Sequence, residues 1–225
     1  MLDRDALIGN IETVRARLAA AAAKAGRRAD AVALMAVSKT QPADAIAALI
    51  AAGQRLFGEN RVQEAAQKWP PLRARHSDLK LHLIGPLQSN KARQAVQLFD
   101  CIESVDRPKL VTALARIAEE EDRQIDLFIQ VNTGEEPQKA GVAAPALASL
   151  IEMARAQPRL HLRGLMCIPP ADDHPGPHFA LLAKLAARHG LAELSMGMSQ
   201  DYERAAMLGA THVRVGSQLF GPRPA

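Results

Sequence analysis

The sequence predicts a closed (β/α)8 barrel, and three observations carry that expectation. Short apolar runs alternate with longer helical segments along nearly the whole chain. Eight such runs can be read, each followed by helical texture. The length of 225 residues suits eight strand–helix units at the small end of this architecture. Alternation of this kind implies parallel strands, because every crossover must return the chain to the same edge. An open doubly wound sheet is the runner-up, weakened because no G-x-G-x-x-G follows the first strand. With no linker, low-complexity segment or repeat, residues 1–225 are expected to form one domain, with 1–28 as a helix packed on the barrel.

The elements follow in order. Asp3 is an N-cap candidate, and Leu7, Ile8, Ile11, Val14 and Leu18 then recur at helical spacing. Apolar, bounded runs predict strands at Val32–Val37, Arg55–Phe57, Leu79–Ile84, Cys101–Val105, Ile125–Val131, Leu160–Met166, Glu193–Met196 and Thr211–Val215. Helical texture fills Pro42–Ala52, Arg61–Trp69, Asn90–Phe99, Pro108–Glu121, Pro145–Ala156, Phe179–Arg188 and Gln200–Leu208, with a short helix after Gly216.

Composition narrows the function. Apolar residues make up 48% and charged residues 23%, the profile of a soluble globular protein with a sizeable core. No apolar run is long enough to cross a bilayer and no leader pattern opens the chain, so the cytoplasm is the expected location. The net charge of +4 is spread without a basic block, and aromatic content is only 3%, which argues against nucleic-acid binding. Cys101 and Cys167 fall in apolar runs and are expected as reduced, packed thiols.

The stretch Leu34 to Pro42, "LMAVSKTQP", places Lys39 where a buried strand gives way to a turn. If Lys39 faces inward, strand alternation turns Val37, Met35 and Ala33 inward with it, and Lys39 sits at the C-terminal rim where such barrels build active sites. The lysine has three readings: a solvated amine, a fixed charge for a phosphate, or a nucleophile that forms an imine with a carbonyl. Two late loops bear on the choice. "SMGMSQD" follows the seventh strand and "VRVGSQLFG" the eighth, the places where barrels often hold phosphate. Gly216 permits close backbone approach to an anion, and Ser199 and Ser217 can donate to it; by local sequence alone both serines are equally helix caps. Strand eight neighbours strand one in a closed barrel. An imine-forming lysine beside a phosphate cup describes pyridoxal 5′-phosphate (PLP).

The blocks "AVSKTQP", "FGENRVQEA", "HLIGPLQSNKAR", "LRGLMCIPP", "LSMGMSQDYERA" and "VRVGSQLFGPR" closely resemble the YggS/PROSC family of PLP-binding homeostasis proteins, in the same order from Val32 to Arg223. Two positions depart from it: Arg61 and Leu81 stand where the family favours aromatic residues. The resemblance implies a barrel of the alanine-racemase N-terminal-domain type, with PLP held as a Schiff base on Lys39. It implies a carrier or regulator of the vitamin B6 pool without established catalysis, hence no catalytic residue. Ser199, Gly216 and Ser217 would hold the phosphate, Arg214 would face the pyridine nitrogen, and Asn60 would sit at the rim near the ring hydroxyl or a turn. Transient contact with PLP-dependent apoenzymes and a monomeric state belong to the same expectation.

The competing reading is a PLP-dependent amino-acid racemase or related enzyme. Against it, a racemase needs a second base from a further domain, and the chain ends at Ala225 just after the barrel. Its one tyrosine, Tyr202, is expected to be ordinary packing. A cofactor-free Schiff-base enzyme acting on a sugar phosphate is a third reading. His82 is expected as a hydrogen-bonded core residue, and Met166 and Met198 as core filling, with flanking of the ring as their alternative. Lys139 is expected to pair with Glu135 or Glu136, with an anionic ligand as the minority alternative. His174 and His178 have the separation of a helical metal pair, but Pro175 and Pro177 argue against a continuous helix there, and no metal is expected.

Overall fold

The computed structural model describes residues 3–136 and 138–221. Pro137, beside Lys139, and Arg223, which closes the last family-like block, lie outside the described residues. Eight parallel strands close on themselves in chain order: β1 (Ala33–Val37), β2 (Leu56–Glu59), β3 (Lys80–Leu83), β4 (Cys101–Val105), β5 (Ile125–Gln130), β6 (Leu160–Met166), β7 (Glu193–Met198) and β8 (His212–Val215). Pairing of β8 with β1 completes the ring, with Met35 opposite Arg214 and Ala36 opposite Val215. Helices follow each strand: α2 (Ala43–Ala51), α3 (Val62–Arg75), α4 (Ala92–Leu98), α5 (Pro108–Glu120), α6 (Leu147–Arg155), α7 (Pro175–Arg188), α8 (Tyr202–Met207) and the short α9 (Ser217–Phe220). The (β/α)8 expectation therefore holds.

Helix α1 (Arg4–Lys24) precedes the barrel, capped by Asp3, whose side chain accepts the Ala6 N–H at 2.8 Å. It buries Leu7, Ile11, Val14 and Leu18 and packs against α2, α8 and α9. Each such side chain contributes about 1.5–3 kcal/mol on leaving water, enough to fix the helix on the barrel wall. Among the described residues, no helix is long and apolar enough to cross a membrane.

Strand alternation sorts side chains into two layers. Leu34 and Ala36 join the large core between barrel and helices, whereas Met35 and Val37 cluster with Ile84 inside the ring. The inward parity of the Lys39 strand is thus as expected, except that Ala33 is exposed at the strand's entry. The interior also carries polar groups. Ser195 on β7 donates to Glu103 on β4 at 2.5 Å, a bond between strands that are not neighbours and that can only cross the ring.

Three helix boundaries correct the expectations. Helix α3 was expected to end at Trp69 but continues through Pro70 and Pro71 to Arg75. Each proline costs about 3 kcal/mol inside a helix. Burial of Trp69 and Leu72 and the bond from Arg73 to the Leu98 carbonyl outweigh that cost. Helix α7 starts at Pro175, so the two prolines do not prevent a helix; both lie in its first turn, where an N–H has no partner within the helix. Helix α8 starts at Tyr202, which leaves Ser199 and Gln200 in the preceding loop.

The contact of β6 with β7 depends on an absent side chain. A Cβ on Gly164 would stand 1.9 Å from the Glu193 carbonyl oxygen. Gly164→Ala should lose about 3 kcal/mol, the upper end of overpacking costs, in a denaturant titration. A loss under about 1 kcal/mol would contradict this register.

Candidate functional site

A cavity of about 840 Å³ opens at the C-terminal rim of the barrel. It is lined by Lys39, Asn60, Ser199, Arg214, Gly216 and Ser217, so all six residues singled out in the sequence meet in one place. Lys39 is half-buried just beyond β1. Closure of the ring sets it against the last loop: a Cβ on Gly216 would stand 3.3 Å from the Val37 carbonyl oxygen, two residues before the lysine. Ser199 is not a helix cap. Its hydroxyl accepts the Gly216 N–H at 3.2 Å and ties the loop after β7 to the loop after β8. Ser217 opens α9 and is exposed to the cavity.

Arg214 is buried and held from behind. It donates to the Ser195 hydroxyl and to the Cys167 carbonyl, each at 2.7 Å. Ser195 donates onward to Glu103, whose other oxygen meets His82 Nδ1 at 2.8 Å. The result is a chain of polar groups through the barrel from β8 to β3. Burial pushes the Glu103 carboxyl up, but the His82 hydrogen bond and the charges of His82, Arg214 and His212 outweigh it and leave it below the ordinary value. Burial lowers His212. His82 is the hydrogen-bonded interior residue expected of it.

The peptide groups flanking Lys39 are clamped by α3 and the end of β2. Lys68 Nζ donates to the Ser38 carbonyl at 2.7 Å and pairs with Glu59 at 2.9 Å and Glu64 at 2.8 Å. Ser38 Oγ donates to Glu59 Oε1 at 2.7 Å, and Trp69 Nε1 donates to the same oxygen at 3.0 Å. The Thr40 N–H donates to Glu64 Oε1 at 2.5 Å. Thr40 itself has φ 63°, the left-handed region, which is costly for a β-branched residue. Burial pushes the Glu64 carboxyl up, but Lys68, the Thr40 N–H and Arg61 together bring it below its usual value.

The family described as "Alanine racemase, N-terminal domain" matches residues 2–224. Pyridoxal phosphate homeostasis proteins of Escherichia coli (strain K12) and Pseudomonas aeruginosa are 39% and 44% identical to the chain, each over 95% of it and over 95% and 94% of their own lengths. The chain belongs to the pyridoxal phosphate homeostasis protein family. PipY of Synechococcus elongatus PCC7942, solved with PLP bound, is 40% identical and superposes with a TM-score of 0.83, covering 96% of this chain and 100% of that one. Alanine racemase from Corynebacterium glutamicum, 22% identical with a TM-score of 0.68, shares the fold; the alignment covers 100% of this chain and 63% of that one.

The donor set fits the family's cofactor. An amine, a guanidinium and hydroxyls line one cavity, within the ~300–1,000 Å³ of small-molecule sites. Asn60 Oδ1 is buried and has no hydrogen-bond partner among the described residues, an acceptor that a ligand's donor would satisfy. Both cysteines are free and buried, as expected; burial pushes the Cys167 thiol up to about 12, and the Cys101 thiol upward as well.

Other candidates find ordinary partners. Lys139 pairs with Glu136 at 2.6 Å. His178 lies in α7 and meets the Thr133 hydroxyl and the Asp173 carboxylate, while His174 caps the helix and meets Arg204. Tyr202 is buried in α8. Met166 packs with Cys101 and Phe128 in the interior, as expected, whereas Met198 is exposed and lines the cavity rather than filling core.

Sequence reasoning missed Glu103, Ser195 and the Glu59–Glu64–Lys68 cluster. Glu103 had a signal: an acid in the middle of "CIESV", with the inward parity of Cys101. Glu64 and Lys68 had one too, in their i, i+4 spacing.

Glu103 and His212 should shape the acid limb of stability. A depressed carboxylate contributes stability that is complete above the unfolded value, about 4.3, and is lost as pH falls through the folded value. The depressed His212 loses its contribution from about pH 6.5 downward. Denaturant titrations at stepped pH should therefore show stability falling in both windows. Glu103→Gln should shrink the lower step, to which Glu64 also contributes, and keep the upper; an unchanged lower limb in the variant would refute the assignment.

Proposed function

We propose that this chain binds PLP reversibly through a Schiff base on Lys39 and acts in vitamin B6 homeostasis as a carrier or regulator. The observation that carries the reading is the meeting of Lys39 with Arg214, Ser199, Gly216 and Ser217 in one cavity. The names of the full-length relatives and the PLP-bound PipY structure support it.

The cofactor supplies an aldehyde, to which an amine adds with loss of water. Lys39 provides that amine. Ser199, Ser217 and the backbone at Gly216 hold the phosphate. Arg214 would face the pyridine nitrogen. A guanidinium stays protonated and only donates, so it keeps that nitrogen unprotonated and the ring a weak electron sink. Such a ring suits storage better than carbanion chemistry. Asn60 accepts from a ring substituent.

In this reading residues 1–225 act as one PLP-binding unit, a cytoplasmic monomer. It passes its cofactor to PLP-dependent apoenzymes by transient contact, with no part for nucleic acid, membrane or metal. Amino-acid racemisation is the rival, distinguished by Lys39-dependent α-hydrogen exchange in D2O.

Borohydride treatment of the PLP-loaded protein, followed by peptide mapping, should place the adduct on Lys39, and Lys39→Ala should abolish it. A protein that stays colourless with PLP, or an adduct that persists in the variant, would overturn the proposal. Ser199→Ala or Ser217→Ala should each weaken PLP binding about tenfold in a spectral titration, as expected for a hydrogen bond to a charged group.

A further inference from the structure

We propose that the Lys68–Glu59–Glu64 cluster is the positioning device for Lys39 and sets how long the cofactor stays attached. This rests on the reading of Lys39 as the cofactor-bearing lysine.

The cluster's contacts are selective. Peptide groups on both sides of Lys39 end on it: the Ser38 carbonyl accepts from Lys68, and the Thr40 N–H donates to Glu64. The Ser38 hydroxyl is tied to Glu59 as well. A weaker contact from Lys68 reaches the Gln41 carbonyl at 3.5 Å. Glu59 and Glu64 sit at the end of β2 and the start of α3, so the lysine's backbone is referenced to a neighbouring strand and helix in addition to its own turn, where the Gln41 N–H donates to the Ser38 carbonyl at 3.1 Å.

The energetics favour a positioning role. Glu59 is fully buried and Lys68 nearly so. Ion clusters with this burial are often no better for stability than apolar packing of the same volume, because desolvation offsets attraction. What the cluster provides that apolar packing would not is a set of directed hydrogen bonds to the backbone around Lys39. It also braces a conformation that the chain would otherwise leave. Thr40 is held in the left-handed region immediately after the lysine, where strain is maintained only by surrounding contacts. Loss of the brace would let the Ser38–Thr40 segment relax and shift Lys39 from its place at the cavity wall. An imine whose amine is misplaced is more open to water, and release quickens.

The test uses the unaltered protein and the variants Lys68→Met, Lys68→Arg, Glu64→Gln and Arg73→Met, all loaded with PLP. Alkaline phosphatase destroys released PLP, so decay of the bound chromophore reads the release rate, and visible circular dichroism reads its orientation. Arg73 is the control: on the same helix, its guanidinium pairs with Asp100 at 2.9 Å and donates to the Leu98 carbonyl at 2.6 Å. Lys68→Met should release PLP about tenfold faster, with a changed dichroic band, and Glu64→Gln several-fold faster. Lys68→Arg should restore the rate to within about threefold. Arg73→Met should lower Tm yet release within about twofold of the unaltered protein. Equal release from Lys68→Met and Arg73→Met at equal loss of Tm would overturn the proposal, as would an unchanged rate in Lys68→Met. If Lys68→Met does not fold, Glu64→Gln against Arg73→Met decides by the same comparison. Failure of the unaltered protein to take PLP on Lys39 would instead remove the reading of the site on which the clamp rests.

Discussion

Closure of the ring is the constraint on which the site depends. Lys39 follows the first strand and Arg214 lies in the last, so an open sheet in chain order would leave them on opposite edges. The pairing of Met35 with Arg214 and Ala36 with Val215 makes them neighbours. Gly216 then packs on Val37 without a side chain between them, and Ser199 ties the preceding loop to the same glycine. The cavity is thus a product of topology first and of side chains second. Its walls come from strands whose mutual register is fixed by backbone hydrogen bonds.

Two buried charge systems support the residues around this cavity, and they solve the same physical problem differently. Arg214 is neutralised at a distance, through Ser195 to Glu103, with His82 completing the carboxylate's coordination. Every partner lies inside the barrel, where unpaired charge would be prohibitive. The Lys68 system lies outside the ring, between β2 and α3, and its partners are two carboxylates and main-chain carbonyls. One system holds a side chain that faces the cavity, and the other holds the backbone from which a side chain departs.

Much of this was legible in the sequence. Eight apolar runs in alternation with helices gave the barrel, because the crossover rule leaves few arrangements for parallel strands. That the six candidate residues would meet in one cavity was legible because each sits at a strand end or on a rim loop with a chemical reason to be there, and because six blocks resemble a family in order. What escaped was long-range. Glu103 reads as a lone acid in a strand until β7 delivers Ser195 to it across the ring. Lys68 reads as a surface lysine on a helix interrupted by prolines, since local propensity ends α3 at Trp69. Tertiary burial of Trp69 and Leu72 carries the helix on, a balance invisible from the residues alone.

The raised thiol of Cys167 has a chemical consequence of its own. Sulfur adds to carbonyls as the anion, and it is a stronger nucleophile than an amine when ionised. Cys167 immediately follows β6, and its carbonyl supports Arg214 at the cavity wall. With a value of about 12, roughly one such thiol in 10⁵ is ionised at neutral pH. Desolvation therefore keeps this sulfur a neutral thiol within the core, although the same residue's carbonyl reaches the cavity wall through Arg214.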